Sequence, residues 1–329
     1  MAPLSEHIAT LPKAELHLHL EGSIQPPTVC ALTARHGLPL SQQEVRQRYV
    51  YRNFDHFIET FKWVTSFLLE PKDYALIAND LAEHLLTQNV VYAEVTLSIG
   101  VMLLRKQTPE ANFEAIREAV EPFKARGLRF HWVFDAVRQF GADAAMEVVE
   151  AARRSGPSKI VAFGIGGDEL SLPTEEFRLV YDKAGELGLR RLMHAGEIGG
   201  PEKIREAIEI LGADRIGHGI AAINDPALMD LLAERRIPLE VCPGSNVLTG
   251  ALARQLNRKT ATIEEHPLPQ LLRHGIPVVL STDDPAMFHT TLHQEYQNAA
   301  AMGLSDSELA QLVEMGFEHS FRPAEARSA

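Results

Sequence analysis

Short apolar runs recur along the chain, and between most of them apolar positions return every three or four residues. The first pattern predicts strands and the second helices. Eight runs read as strands: Glu15–Leu20, Val91–Leu97, Phe130–Val137, Ile160–Gly167, Arg190–His194, Arg215–Gly219, Ile237–Cys242 and Pro277–Asp283. The stretch PEKIREAIEILGA has Pro201 where a first helical residue belongs and ends near Gly212. Strands alternating with helices predict a parallel sheet, and eight of them suit a (β/α)8 TIM barrel; a doubly wound sheet also alternates. The interval between the first two strands is too long for one helix. Its patterns TVCALTARHGL, FDHFIETFKWVTSFLL and YALIANDLAEHLLTQ predict a helical insertion over about 26–88, placed as a lid over the barrel mouth.

Length alone allows two domains, since 329 residues exceed the usual one-domain size. The strand count favours a single barrel domain over 1–329. No run approaches the roughly 20 apolar residues that span a bilayer, and MAPLSEHIATLPKAEL lacks the basic and apolar regions of a signal peptide. A cytoplasmic protein without a membrane partner is expected. Lys and Arg total 32 against 44 Asp and Glu, a net charge of -12, which argues against a nucleic-acid partner but not against an uncharged nucleoside. Cys30 and Cys242 are the only cysteines, too few for a disulfide framework or a thiolate zinc site. No dinucleotide or Walker loop is present. The sequence leaves the oligomeric state open.

Ionisable residues gather at the C-terminal ends of the strands, where barrel enzymes place their chemistry. His17 and His19 are two apart, so both face one side of a strand. Such a pair is either two hydrogen-bonded core histidines or half of a metal site, and the other strand ends favour the metal. His194 is the natural third imidazole and Asp283 the natural carboxylate, a nitrogen-rich set that suits zinc. No lysine ends the fourth strand, because Lys159 precedes it, so one ion is expected rather than a bridged pair. Glu197 has two readings: a carboxylate near a helix N-terminus, or a buried acid with a raised pKa that exchanges protons. His218, between glycines, would hold or deprotonate a water, or be a buried structural histidine. Cys242 and the other histidines, His7, His36, His84 and His319 among them, are read as packing or solvated residues.

With PKAELHLHLEGS (12–23), GIGGDE (164–169), HAGE (194–197), RIGHG (215–219), EVCPGSNVLTGAL (240–252) and LSTDDPAMF (280–288), the chain resembles the adenosine deaminase family. The six stretches occur in the family's order and span nearly the whole chain. The resemblance implies a barrel bearing one zinc ion per chain and a hydrolytic deaminase of a 6-aminopurine nucleoside. His17, His19, His194 and Asp283 would hold the ion, with His19 also beside the substrate. Glu197 would share a proton with purine N1, and His218 would orient or deprotonate the water that attacks C6. Asp284 would hydrogen-bond N7, the Gly167 N–H would reach N3, and Phe57 and Phe61 would lie over the substrate. The family reads H-x-H-L-D-G where this chain has Glu21, the position facing the ribose 5′ group. That departure, beside nucleoside-type GGDE and RIGHG matches, points to adenosine or a 5′-modified adenosine such as 6-aminodeoxyfutalosine; an anionic 5′ group would need a cation such as Arg52 or Lys62. Free adenine, a two-metal barrel hydrolase and a non-enzymatic nucleoside binder are the alternatives.

Overall fold

In the computed structural model, residues 4–51 and 54–321 are described, except the side chains of residues 54 and 55. The apolar runs form eight strands: β1 (Lys13–His19), β2 (Val90–Leu97), β3 (Arg129–Val137), β4 (Ala162–Gly166), β5 (Arg190–Ala195), β6 (Arg215–His218), β7 (Leu239–Val241) and β8 (Val278–Leu280). All neighbours pair in parallel, in the order of the sequence. The sheet curls until β1 meets the segment after β8. A bridge joins Leu18 and Asp283 there: the Asp283 N–H donates to His17 O at 3.0 Å and the His19 N–H to Asp283 O at 2.8 Å. This is the (β/α)8 barrel.

Strands β4, β6, β7 and β8 are shorter than the apolar runs suggest, and the reason is visible for the last two. Pro238 has no N–H for the ladder and Pro243 opens a helix, so β7 is confined between them. After Leu280 the chain exchanges ladder pairing for side-chain contacts with β1: Ser281 Oγ accepts from the His17 N–H at 3.2 Å, and Glu15 accepts from Thr282. In β1 the register shifts between Glu15 and Leu18. Leu16 consequently packs with Ala14, Tyr92 and Val279, while Leu18 and Leu20 join the main core.

Between β1 and β2, among the described residues, lie four α-helices that follow a short N-terminal helix α1 (Glu6–Thr10): α2 (Pro26–Arg35), α3 (Gln42–Arg48), α4 (Phe54–Thr65) and α5 (Pro71–Leu86). No helix among the described residues is long and apolar enough to cross a membrane. Beneath the mouth, charge runs through the buried barrel. Arg215 Nη2 donates to Glu94 Oε2 and Arg215 Nε to Glu240 Oε1, both at 2.5 Å, and Glu240 Oε2 meets His17 Nδ1 at 2.7 Å. The Arg215 guanidinium also lies 3.6 Å from the Phe321 ring centroid.

Candidate metal and catalytic centre

Two strand ends present their side chains from backbone that glycine adopts more easily. His218 ends β6 at φ 61° and Asp283 follows β8 at φ 68°. Such conformations cost a non-glycine residue about 1 to 3 kcal/mol and cluster at functional sites. Both side chains turn into the barrel mouth. Ligand atoms of His17, His194, His218 and Asp283 all lie within 4.8 Å of one another. His19 stands beside them, its Nε2 3.3 Å from Asp283 Oδ1 and its ring centroid 5.4 Å from that of His17. The structure therefore gathers every residue expected as a ligand. It differs from the expectation in bringing His218 into the closest group and leaving His19 at its edge.

The donors fit a divalent ion. His17 Nε2 is buried without a hydrogen-bond partner, while its Nδ1 is held by Glu240. His194 Nδ1 lies 3.2 Å from the carbonyl oxygen of Ile165. A histidine whose far nitrogen is held by a carboxylate or a carbonyl is oriented to offer the other to a metal. Burial pushes His19, His194 and His218 down to about 3, so these imidazoles are neutral at pH 7. Burial works against charge on His17 too, but Asp283 and Glu240 push it up to about 10 in the metal-free protein. The proton on its Nε2 is then the one an ion would replace. Asp283, despite burial, is held well below the carboxylate range by the facing His17, whose Nε2 lies 3.5 Å from its Oδ1, and by His218 and His19. Lys159 lies before β4 and pairs with Glu114 at 3.5 Å, far from any bridging place.

Glu197 is separate from the helix that the sequence allowed it to cap. That helix spans Pro201–Glu209, and its first-turn acid is Glu202. The Glu197 Oε2 instead lies 3.6 Å from His218 Nε2, with 20% of the side chain exposed. Burial foremost, with Asp283 and Glu169 adding repulsion, pushes its carboxyl up to about 8. Asp284 is buried beside Asp283, its Oδ1 unpartnered, and burial and that neighbour push it well above the carboxylate range. Gly22 makes room for it: a Cβ there would stand 1.7 Å from Asp284 Oδ1. Glu21 Oε1 accepts from the Ser98 N–H at 3.1 Å, Oε2 is buried and unpartnered, and burial pushes the carboxyl up to about 7. Gly167 follows β4 at φ 94°, with Gln139 Oε1 where a Cβ would project.

Phe57 is buried on α4 and packs on Phe288 of the segment after β8, with ring centroids 4.9 Å apart; Phe61 is half-buried next to it. Lys62 is exposed, and Arg52 lies outside the described residues. Cys242 is fully buried and burial pushes its thiol up, in keeping with a packing role.

Several contributors escaped the sequence reading. Glu240 orients His17, and the Ser245 hydroxyl donates to Asp283 Oδ2 at 2.7 Å. Glu169 accepts from the N–H groups of Gly196, Ile198 and Gly199 and so holds the turn that carries Glu197. His266, given no role, is buried behind His218 and reaches it through Asn246. One signal was available: Glu240 is an acid between the apolar residues of a buried strand.

The adenosine deaminase family model matches residues 12–329. An aminodeoxyfutalosine deaminase of Streptomyces coelicolor is 38% identical, covering 99% of this chain and 88% of its own length. An adenine deaminase of the same organism is 32% identical, covering 94% and 90%. The crystal structure of an adenine deaminase from Arthrobacter aurescens superposes with a TM-score of 0.88 at 28% identity, covering 96% of each chain.

Proposed function

Because the chain belongs to the adenosine deaminase family of deaminating hydrolases, we propose that it replaces the 6-amino group of a purine nucleoside by oxygen and releases ammonia. The observation that carries this reading is one acid and one donor cluster on a single barrel face: Glu197, its carboxyl pushed up to about 8, beside His17, His194, His218 and Asp283. His17, His19, His194 and Asp283 would hold one zinc ion per chain. Bound there, it supplies the Lewis acidity that brings a water's pKa from 15.7 to about 7.

The chain's own residues do the rest. Glu197, carrying a proton at neutral pH, gives it to purine N1, which makes C6 electrophilic. His218 orients the water that adds to C6. Asp284, protonated, donates to N7, and the Gly167 N–H donates to N3. The helices α2 to α5 act as the lid, with Phe57 and Phe61 its apolar lining, so that residues 1–329 work as one unit.

A modified 5′ position is the favoured substrate feature, with 6-aminodeoxyfutalosine its leading example. Two observations support it: the relative at 38% identity and the unpartnered Oε2 of Glu21, a longer carboxylate than the family's aspartate. The adenine deaminase relatives support free adenine as the second reading. The zinc-loaded protein should release ammonia from 6-aminodeoxyfutalosine faster than from adenosine, 2′-deoxyadenosine or adenine. Preference for adenine would establish the second reading, and no turnover on any of the four would overturn both.

A further inference from the structure

On the side of His218 away from the cluster, a buried chain of hydrogen bonds starts at a group of fixed polarity. The Leu268 backbone N–H donates to His266 Nδ1 at 3.1 Å. A backbone N–H can only donate, so His266 Nδ1 is an acceptor and the ring proton sits on Nε2. Burial keeps this ring neutral, pushing it down to about 3. His266 Nε2 lies 3.2 Å from Asn246 Oδ1, which settles the orientation of the amide and turns its Nδ2 to His218 Nδ1 at 3.0 Å. The amide NH2 can only donate, so His218 Nδ1 is an acceptor too. With Nδ1 accepting, the ring proton of His218 is placed on Nε2. The three side chains are at most 3% exposed, so no bulk water competes for these bonds.

We infer that Asn246 and His266 are positioning residues that lock His218 in its Nε2–H tautomer, which makes His218 a hydrogen-bond donor to an oxygen in the site rather than a metal ligand or a proton acceptor. The surroundings of Nε2 agree: Asp283 Oδ2, on a carboxylate held ionised, lies 3.9 Å away, and Glu197 Oε2 lies 3.6 Å away. The Asp283 carboxylate would repel a lone pair aimed at it, whereas it attracts an N–H. Closeness to the cluster therefore does not make His218 part of the ligand set. In the proposed reaction, on which only this last role rests, the N–H of His218 orients the oxygen that adds to C6. The relay itself depends on no substrate.

The test is nitrogen NMR of the metal-free protein labelled with 15N-histidine, the His218 signals being assigned by their loss in His218→Ala. The wild type should show a protonated Nε2 and a bare Nδ1. Asn246→Asp, close in shape but offering an acceptor oxygen to the ring, should bring a proton onto Nδ1. A wild-type His218 protonated on Nδ1 overturns the inference, as does a Nδ1 still bare in Asn246→Asp. If that variant does not fold, the wild-type spectrum decides alone. His218→Ala should still take up one zinc per chain, and loss of the zinc would overturn the exclusion from the ligand set. In the zinc-loaded enzyme, Asn246→Asp should lower kcat about 10² to 10³-fold, the worth of one preorganised donor, with KM little changed. An unchanged kcat would overturn the role in the reaction. Were the deaminase reading itself wrong, the wild type would turn over no aminopurine while the tautomer result stood.

Discussion

A carboxyl group gives up a proton at neutral pH only if its surroundings have kept it from ionising. At Glu197 burial does this, helped by the negative charges of Asp283 and Glu169. Glu197→Gln preserves the shape and removes the transferable proton, so the rate should fall about 10² to 10⁴-fold. Elemental analysis should find the metal content unaltered, and a variant as fast as the wild type would end the proton-transfer role. Gly22 makes a different demand. Its missing side chain is the space that Asp284 occupies, so Gly22→Ala must push that carboxyl aside. Displacing a positioning group by about an ångström costs on the order of 10²-fold, and kcat/KM should drop by that much with melting little changed. Full activity would mean that Asp284 needs no fixed place.

Between elements, the turn after β5 hangs on a carboxylate from the turn after β4. Glu169 takes N–H groups from Gly196, Ile198 and Gly199, on either side of Glu197. Glu169→Ala leaves those donors without their acceptor, so stability should fall by about 1 to 3 kcal/mol in chemical denaturation and kcat should fall with it. Equal stability would show that other acceptors replace it. The barrel was legible because its strands are continuous apolar runs, and the face that carries the chemistry was legible because His17, His194, His218 and Asp283 interrupt those runs at one end. Helix α3 was not singled out. Its Ser41 and Glu44 form a capping box, yet it buries only Val45, too little to register as a periodic apolar face. The residues behind the site were hidden for another reason. Glu240 meets His17 across 223 positions of sequence, and Asn246 means nothing to His218 until β6 and the helix after β7 lie side by side. Periodicity tells which way a side chain faces; it does not tell what it will face.

Across the whole molecule, the barrel interior stores charge that the two ends of the pH scale release in opposite ways. Glu240, with a pKa held near about 2 by Arg215 and His17 against the cost of burial, favours folding above about pH 4.5, and that contribution fades as the pH falls toward 2. Glu15, Glu21 and Glu295, pushed up by burial to about 7, and Asp135 and Glu197, to about 8, do the reverse. They bind protons more tightly when folded, so their contribution is complete in acid and is lost as the pH rises through 7 to 8. Between pH 5 and 6.5 the buried histidines His19, His194, His218 and His266, pushed down to about 3, work the other way, but above pH 6.5 they are neutral folded or unfolded. The metal-free protein should therefore lose stability as the pH rises from 6.5 to 8; a melting temperature that rises over that interval would contradict this assignment. Removing the buried cation in Arg215→Met leaves Glu94 and Glu240 facing each other and should cost about 3 to 5 kcal/mol, which denaturant titration would detect. The closure of the ring has a consequence of another kind. β1 and the segment after β8 are stitched at Leu18 and Asp283 by a few bonds, and those bonds lie between His17, His19 and Asp283 themselves. The seam at which the cylinder is fastened is the place where it would hold its ion. A cation seated there acts as a rivet: it binds the joined edges and not the parted ones, so it slows the opening of the whole cylinder. Amide hydrogens of His19 and Asp283 should then exchange with solvent far more slowly once zinc is added, and the final step of folding and the birth of the site become one event.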